Sequence, residues 1–203
     1  MRGINLDYHQ LFSRLNEKLS EENLQLHLHC VGGFVLEYYG MKATEDIDAF
    51  YESTEKVEKI IQEIGEEFHV GTSNEPWLSQ AVGEVMSHSK TDETIIFVES
   101  HLTVGLSSLE SILIDKIQAG RTKDVPDIAK IMKKLKIESP DPLLERFKHT
   151  DGSADPAVIL EAFSLAYGEE ALKNYLRKNP SKKDIVAKNV EKKLVRKFVK
   201  NGK

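Results

Sequence analysis

Apolar and polar positions alternate along this chain in two periods, and the period changes mark the elements. Leu11, Phe12, Leu15 and Leu19 recur at helical spacing, so Tyr8 to Leu19 is expected to be an amphipathic helix. Leu24, Leu26, Leu28 and Cys30 then alternate with Gln25, His27 and His29, the pattern of a half-buried strand. It ends at Gly32-Gly33. Phe34 to Tyr39 returns to the helical pattern and stops at Gly40, and Ile47 to Tyr51 is again strand-like. The order is strand, Gly turn, helix, strand.

Further on, Ser53 or Thr54 caps a helix carrying Val57, Ile60, Ile61 and Ile64 before Gly65. Phe68 to Val70 is expected to be a third short strand. Thr94 to Val98 and Leu102 to Leu106 form two strands joined tightly through Glu99, Ser100 and His101. Ser107 or Ser108 caps a helix with Leu109, Ile112, Leu113, Lys116 and Ile117, ended by Gly120. A second begins near Asp124, with Pro126 in its first turn. Beyond Pro140 the pattern is wholly helical. Asp155-Pro156 opens one helix, a capping box of Ser181 and Asp184 opens another, and Val186, Val190, Leu194 and Phe198 give the last one an apolar stripe. The economical fold is α/β (α+β): a mixed sheet flanked by helices, followed by a helical C-terminal subdomain. The domains are expected at 1–139 and 140–203.

Composition narrows the class. No apolar run approaches the roughly 20 residues that span a bilayer, and the N-terminus lacks the apolar core of a secretion signal. The single cysteine, Cys30, cannot form an internal disulfide. A cytoplasmic protein without membrane partners is expected. The formal net charge of -5 hides a division: Ala171 to Lys203 carries 12 Lys and Arg against only Asp184 and Glu191. That basic tail suits RNA, an acidic partner or the chain's own acidic body.

Chemistry concentrates in VGGFVLEYYGMKATEDIDAF, Val31 to Phe50. Asp46 and Asp48, at i and i+2 of a strand, point to one side and are suited to one hard cation. Gly32 and Gly33 let the backbone approach a phosphate, with amides and the following helix start as donors. Thr44 and Glu45 set the entry to the acidic strand. The plainer account is a tight Gly turn and a solvent-facing acidic pair. His27 and His29 face away from Cys30 on a strand, which argues against one zinc site for all three. Trp77 reads as the anchor of its loop rather than a base-stacking platform.

The run GGFVLEYYGMKATEDID resembles the opening of the minimal nucleotidyltransferase superfamily: Gly-Gly, a helix, then Thr-x-Asp-x-Asp. SSLESILIDKIQAGRTKDVPDIAKIMKKL resembles the second block of a related prokaryotic group that includes toxins of the abortive-infection type, and EPWLSQAV resembles a stretch of small members. The likeness covers about Leu26 to Ile137. It implies a nucleotidyltransferase-like sheet and magnesium- or manganese-dependent transfer of a nucleotide from a nucleoside triphosphate to a protein or RNA acceptor. An antitoxin partner is a further implication. Carried onto this chain, Asp46 and Asp48 hold the metal. Gly32, Gly33 and Thr44 lie on the nucleotide side, joined by Lys116, Arg121, Asp124 and Asp127 from the second block; Lys116 joins the aspartates in catalysis.

Read from the residues themselves, Lys116 and Arg121 are donors to triphosphate oxygens, Asp124 caps its helix, and Asp127 orients Arg121 or Lys123. One departure stands out. Active superfamily members carry a third carboxylate on a later strand, and Leu102 to Leu106 has none. Glu99 is the nearest candidate ligand, Asp92 and Glu93 lie further off, and Ser107 stands where no acidic group helps. The alternative is therefore a catalytically weak or inactive module that binds RNA or a partner protein.

Overall fold

A computed structural model describes residues 7–72, 74–81, 93–148 and 155–182. The chain separates into two compact units, Met1–Ile112 and Leu113–Lys203. The helical pattern puts the expected boundary near Pro140, whereas the division by compactness falls inside a helix, Leu109–Ala119.

The first unit opens with α1 (Tyr8–Glu21), whose N-terminal amides donate to the Asp7 side chain. Strand β1 (Leu26–Val31) follows, then the short α2 (Gly32–Tyr38) and β2 (Ile47–Phe50). Thr54 caps α3 (Glu55–Phe68), accepting from the Val57 amide. Strands β3 (Leu78–Gln80), β4 (Thr94–Val98) and β5 (Leu102–Leu106) complete a five-stranded sheet in the order β3-β2-β1-β5-β4. Strand β1 runs parallel to β5 and antiparallel to β2, so the sheet is mixed. Helix α1 packs on α3, and α2 packs against β1 and β2.

Alternation along the strands separates two faces. Leu28, Cys30, Ile47, Ala49, Val104 and Leu106 are fully buried, while His27, His29, Asp48 and Phe50 belong to the opposite face. His27, His29 and Asp48 thus share that second face.

Two details differ from the sequence expectation. Helix α3 passes through Gly65, because the Trp77 ring lies against that glycine: a Cβ there would stand 3.2 Å from Trp77 Cδ1. The Phe68–Val70 stretch is not a strand. His69 turns left-handed at φ 55°, and the amides of His69 and Val70 close onto Glu66 and Gly65 carbonyls, terminating the helix. The third strand in chain order lies instead at Leu78–Gln80, after Trp77. That indole is 1% exposed and donates from Nε1 to the Ile61 carbonyl at 2.8 Å. It anchors its loop, and burial of such a ring contributes about 3 kcal/mol.

The second unit is helical. Ser108 Oγ accepts from the Ser111 amide at the start of α4 (Leu109–Ala119), which enters this unit at Leu113. A 3-10 turn at Thr122–Asp124 leads into α5 (Val125–Lys134), followed by α6 (Asp141–Arg146), α7 (Pro156–Tyr167) and α8 (Glu169–Lys178). Helix α7 is the apolar centre, packed on α5 and α8, with Ile159, Leu160, Ala162 and Phe163 buried. Asp155 caps it through the Ala157 amide, as its Asp-Pro start predicts. Of the expected Ser181–Asp184 box, Ser181 lies in a 3-10 turn. Asp92, Asp184 and the Val186–Phe198 stripe lie outside the described residues.

Candidate functional site

The Gly pair and the acidic strand meet in space. Gly32 has φ +64°, a conformation costly for any residue with a Cβ. A Cβ added to it would also stand 3.2 Å from Asp48 Oδ2. At Gly33 the same atom would meet Thr44 Oγ1 at 3.0 Å. Thr44 and Asp48 therefore pack directly on the glycine backbone. The pairing of Val31 with Asp48 at the end of β1 is what brings them there.

Hydrogen bonds fix both carboxylates. Thr44 Oγ1 donates to Asp46 Oδ1 at 2.6 Å, and Ser79 Oγ on β3 donates to Asp48 Oδ1 at 3.1 Å. Asp46 is exposed, immediately before β2, and Asp48 is half-buried. Among the described residues neither forms an ion pair with a basic side chain. Glu37 adds a third carboxylate behind them, accepting from the Thr44 amide at 3.2 Å and from the Tyr8 hydroxyl at 2.7 Å. Burial, that hydrogen bond and the charges of Glu37 and Asp46 together push the Tyr8 phenol far up. Helix α2 has only seven residues, so its dipole is small.

The structure moves the weight among the later acidic residues. Glu99 sits in the β4–β5 turn, its amide donating to the Leu102 carbonyl, and Leu102 pairs with Leu26 at the start of β1. Asp48 pairs with Val31 at the other end, about 16 Å away at 3.3 Å per residue. Glu99 and Asp48 share no cation. Glu93 is the residue brought to this face. Gly105 of β5 makes room, since a Cβ there would overlap the Glu93 carboxyl. Glu93 Oε1 lies 2.7 Å from His29 Nδ1 and 2.9 Å from His27 Nε2. His29 Nε2 in turn lies 2.6 Å from Ser107 Oγ. Ser107 is thus served by an acidic group through an imidazole, contrary to the sequence expectation.

Cys30 faces away from these histidines and is fully buried; burial, then the Glu93 charge, push its thiol up. Among the described residues no group of three or more His, Cys, Asp or Glu is arranged to hold a metal ion. A cation at Asp46 and Asp48 would need further oxygens from its substrate, as magnesium sites at nucleotides commonly do.

The second-block residues form one network in the other unit. Lys116 Nζ donates to Asp124 Oδ1 at 3.0 Å and Asp127 Oδ2 at 2.9 Å, all three residues being buried. Arg121 Nε donates to Asp124 Oδ2 at 2.7 Å. Asp124 stands at the α5 start but makes no side-chain cap; it orients Arg121, while Asp127 takes Lys116. Burial raises the Asp124 pKa, but the hydrogen bonds from Lys116 and Arg121 outweigh it and hold the carboxyl below its ordinary value.

Residues 7–167 match the family described as "Nucleotidyltransferase of unknown function (DUF6036)", most of the chain, and the protein belongs to that family. A crystal structure of JHP933 from Helicobacter pylori is similar at 12% identity and a TM-score of 0.36, covering 88% of this chain and 96% of that one. No curated protein matches. Among the described residues no helix is long and apolar enough to cross a membrane.

Proposed function

We propose that this protein is a divalent-cation-dependent nucleotidyltransferase that moves a nucleoside monophosphate from a triphosphate to a hydroxyl of RNA or protein. The observation that supports this reading is the close approach of the Asp48 carboxylate to Gly32. Asp46 and Asp48 suit a hard cation because both are oxygen donors, both are oriented by hydroxyls, and neither is engaged by a basic residue among the described ones. Magnesium or manganese, when bound, neutralises phosphate oxygens and orients the attack.

The chain's own part is positioning. Gly32 and Gly33 present backbone to the triphosphate, and Thr44 and Ser79 hold the carboxylates. The Arg121 side chain is 56% exposed and uses Nε on Asp124, keeping its terminal nitrogens for an anion. The basic tail supplies affinity for a polyanionic acceptor. A toxin held by an antitoxin is the version of this function that the sequence resemblance suggests.

A binding module with weak or no catalysis is the second reading. It is favoured by Glu93, which pairs with two histidines instead of completing a three-carboxylate cluster. Incubation with triphosphates labelled at the α-phosphate, with magnesium, RNA and protein, separates the two. The transferase labels a macromolecule and Asp46→Asn/Asp48→Asn abolishes it. Nucleotide binding without any transfer supports the module.

A further inference from the structure

Strands β1 and β5 are parallel and end together. Cys30 pairs with Leu106, and the Ser107 amide donates to the Cys30 carbonyl at 2.9 Å. Ser107 therefore flanks Val31, one residue before Gly32. Crevices outside the carboxyl ends of parallel strands are where α/β sheets bind ligands. The serine thus stands beside the backbone proposed to hold the triphosphate.

Its surroundings are those of an activated hydroxyl. Glu93, with a side chain only 6% exposed, faces His29 Nδ1 at 2.7 Å. An ionised carboxylate accepts there, which assigns the proton to Nδ1 and leaves Nε2 as the acceptor for the Ser107 hydroxyl at 2.6 Å. Hydroxyl, imidazole and carboxylate follow in the order of nucleophile, base and orienting acid. Three separate segments build this chain of contacts, and Gly105 is the position that admits its carboxylate. Ser107 itself is 2% exposed. Solvent therefore has little access to its hydroxyl.

We propose that Ser107 is a self-modification site, an acceptor for the nucleotide within the chain itself; this rests on the transferase function proposed above. Ser107 Oγ attacks the α-phosphorus, and the Oγ–P bond forms as the bond to the bridging oxygen of the β-phosphate breaks. Pyrophosphate leaves with that bond's electrons. The hydroxyl proton passes to His29 Nε2, and Glu93 stabilises the imidazolium until it returns the proton to solvent. No oxidant or reductant is involved. The product is a phosphodiester between Ser107 and the nucleoside.

The test is intact-mass and peptide-mapping analysis of the full chain after incubation with each α-labelled nucleoside triphosphate and magnesium. Wild type is expected to gain one nucleoside monophosphate, mapped to Ser107. Ser107→Ala loses it, Ser107→Thr keeps it because the hydroxyl remains, and Ser108→Ala keeps it because Ser108 only caps α4. His29→Gln slows labelling by about 100-fold or more. Circular dichroism and triphosphate binding show that each variant is folded and loaded. Undiminished label in Ser107→Ala, or no label on a wild type that binds nucleotide with magnesium, overturns the assignment of Ser107 and leaves the nucleotide site standing. Failure of the wild type to bind any triphosphate overturns both.

Discussion

Asp48 rests on Gly32: its Oδ2 would lie 3.2 Å from any Cβ placed there. One residue supplies a carboxylate, the other a backbone without a side chain, and the contact needs both. Gly32→Ala combines a left-handed φ with that clash. It is expected to cost about 1–2 kcal/mol of stability and to remove magnesium-dependent triphosphate binding. Urea unfolding and calorimetry on the same variant check the two effects separately.

Thr44 orients Asp46 through a 2.6 Å hydrogen bond and is otherwise replaceable by shape. Thr44→Val keeps the volume and drops the donor. Divalent-cation affinity in the presence of triphosphate should fall about 10-fold or more, the usual size of such supporting contacts, while the unfolding midpoint changes little. A manganese titration followed by its relaxation signal measures this.

Buried Lys116 donates to both Asp124 and Asp127, and Arg121 also serves Asp124. Lys116→Met removes the buried cation that two carboxylates of the second unit share. Loss of a partner from a buried pair costs about 3–5 kcal/mol, so the helical unit should unfold first on heating. Lys116→Met with Asp124→Asn and Asp127→Asn should recover most of that loss.

Acid should act through Asp124. Its pKa is lower in the folded protein than in the unfolded chain, so the unfolded state binds more protons in that range. The stabilisation is present above the ordinary aspartate pKa and disappears as pH falls through the depressed folded value. Asp124→Asn should therefore flatten the acid limb of a stability–pH curve. An equal slope in wild type and variant would count against this assignment.

Much of the fold was legible because the decisive patterns are local. Thr94–Val98 and Leu102–Leu106 are runs of apolar and β-branched residues separated by a tight turn, and both strands fall where that pattern puts them. The Gly pair and Asp48 stand 16 and 15 positions apart, across one short helix, so their meeting follows from the order of elements. What lay hidden depends on distant partners. Phe68–Val70 has strand-like composition, yet it forms the end of α3, because the Val70 amide closes back onto the Gly65 carbonyl. Leu78–Gln80 is too short to show alternation and becomes a strand only by pairing with β2. Lys116 was recognisable as a functional type, but its buried ammonium requires carboxylates that sequence spacing alone does not assign. Glu93, His29 and Ser107 come from three segments. The available signals were an isolated Gly105 inside a strand pattern, which marks a close approach, and the alternating histidines of β1.

The most direct test of the acidic pair is titration calorimetry of the four nucleoside triphosphates, with and without magnesium, into wild type and Asp46→Asn/Asp48→Asn. Binding to the wild type that requires magnesium and disappears in the folded double variant is the predicted result. Equal binding by both proteins, or none by the folded wild type, would contradict a metal–triphosphate site at Asp46 and Asp48.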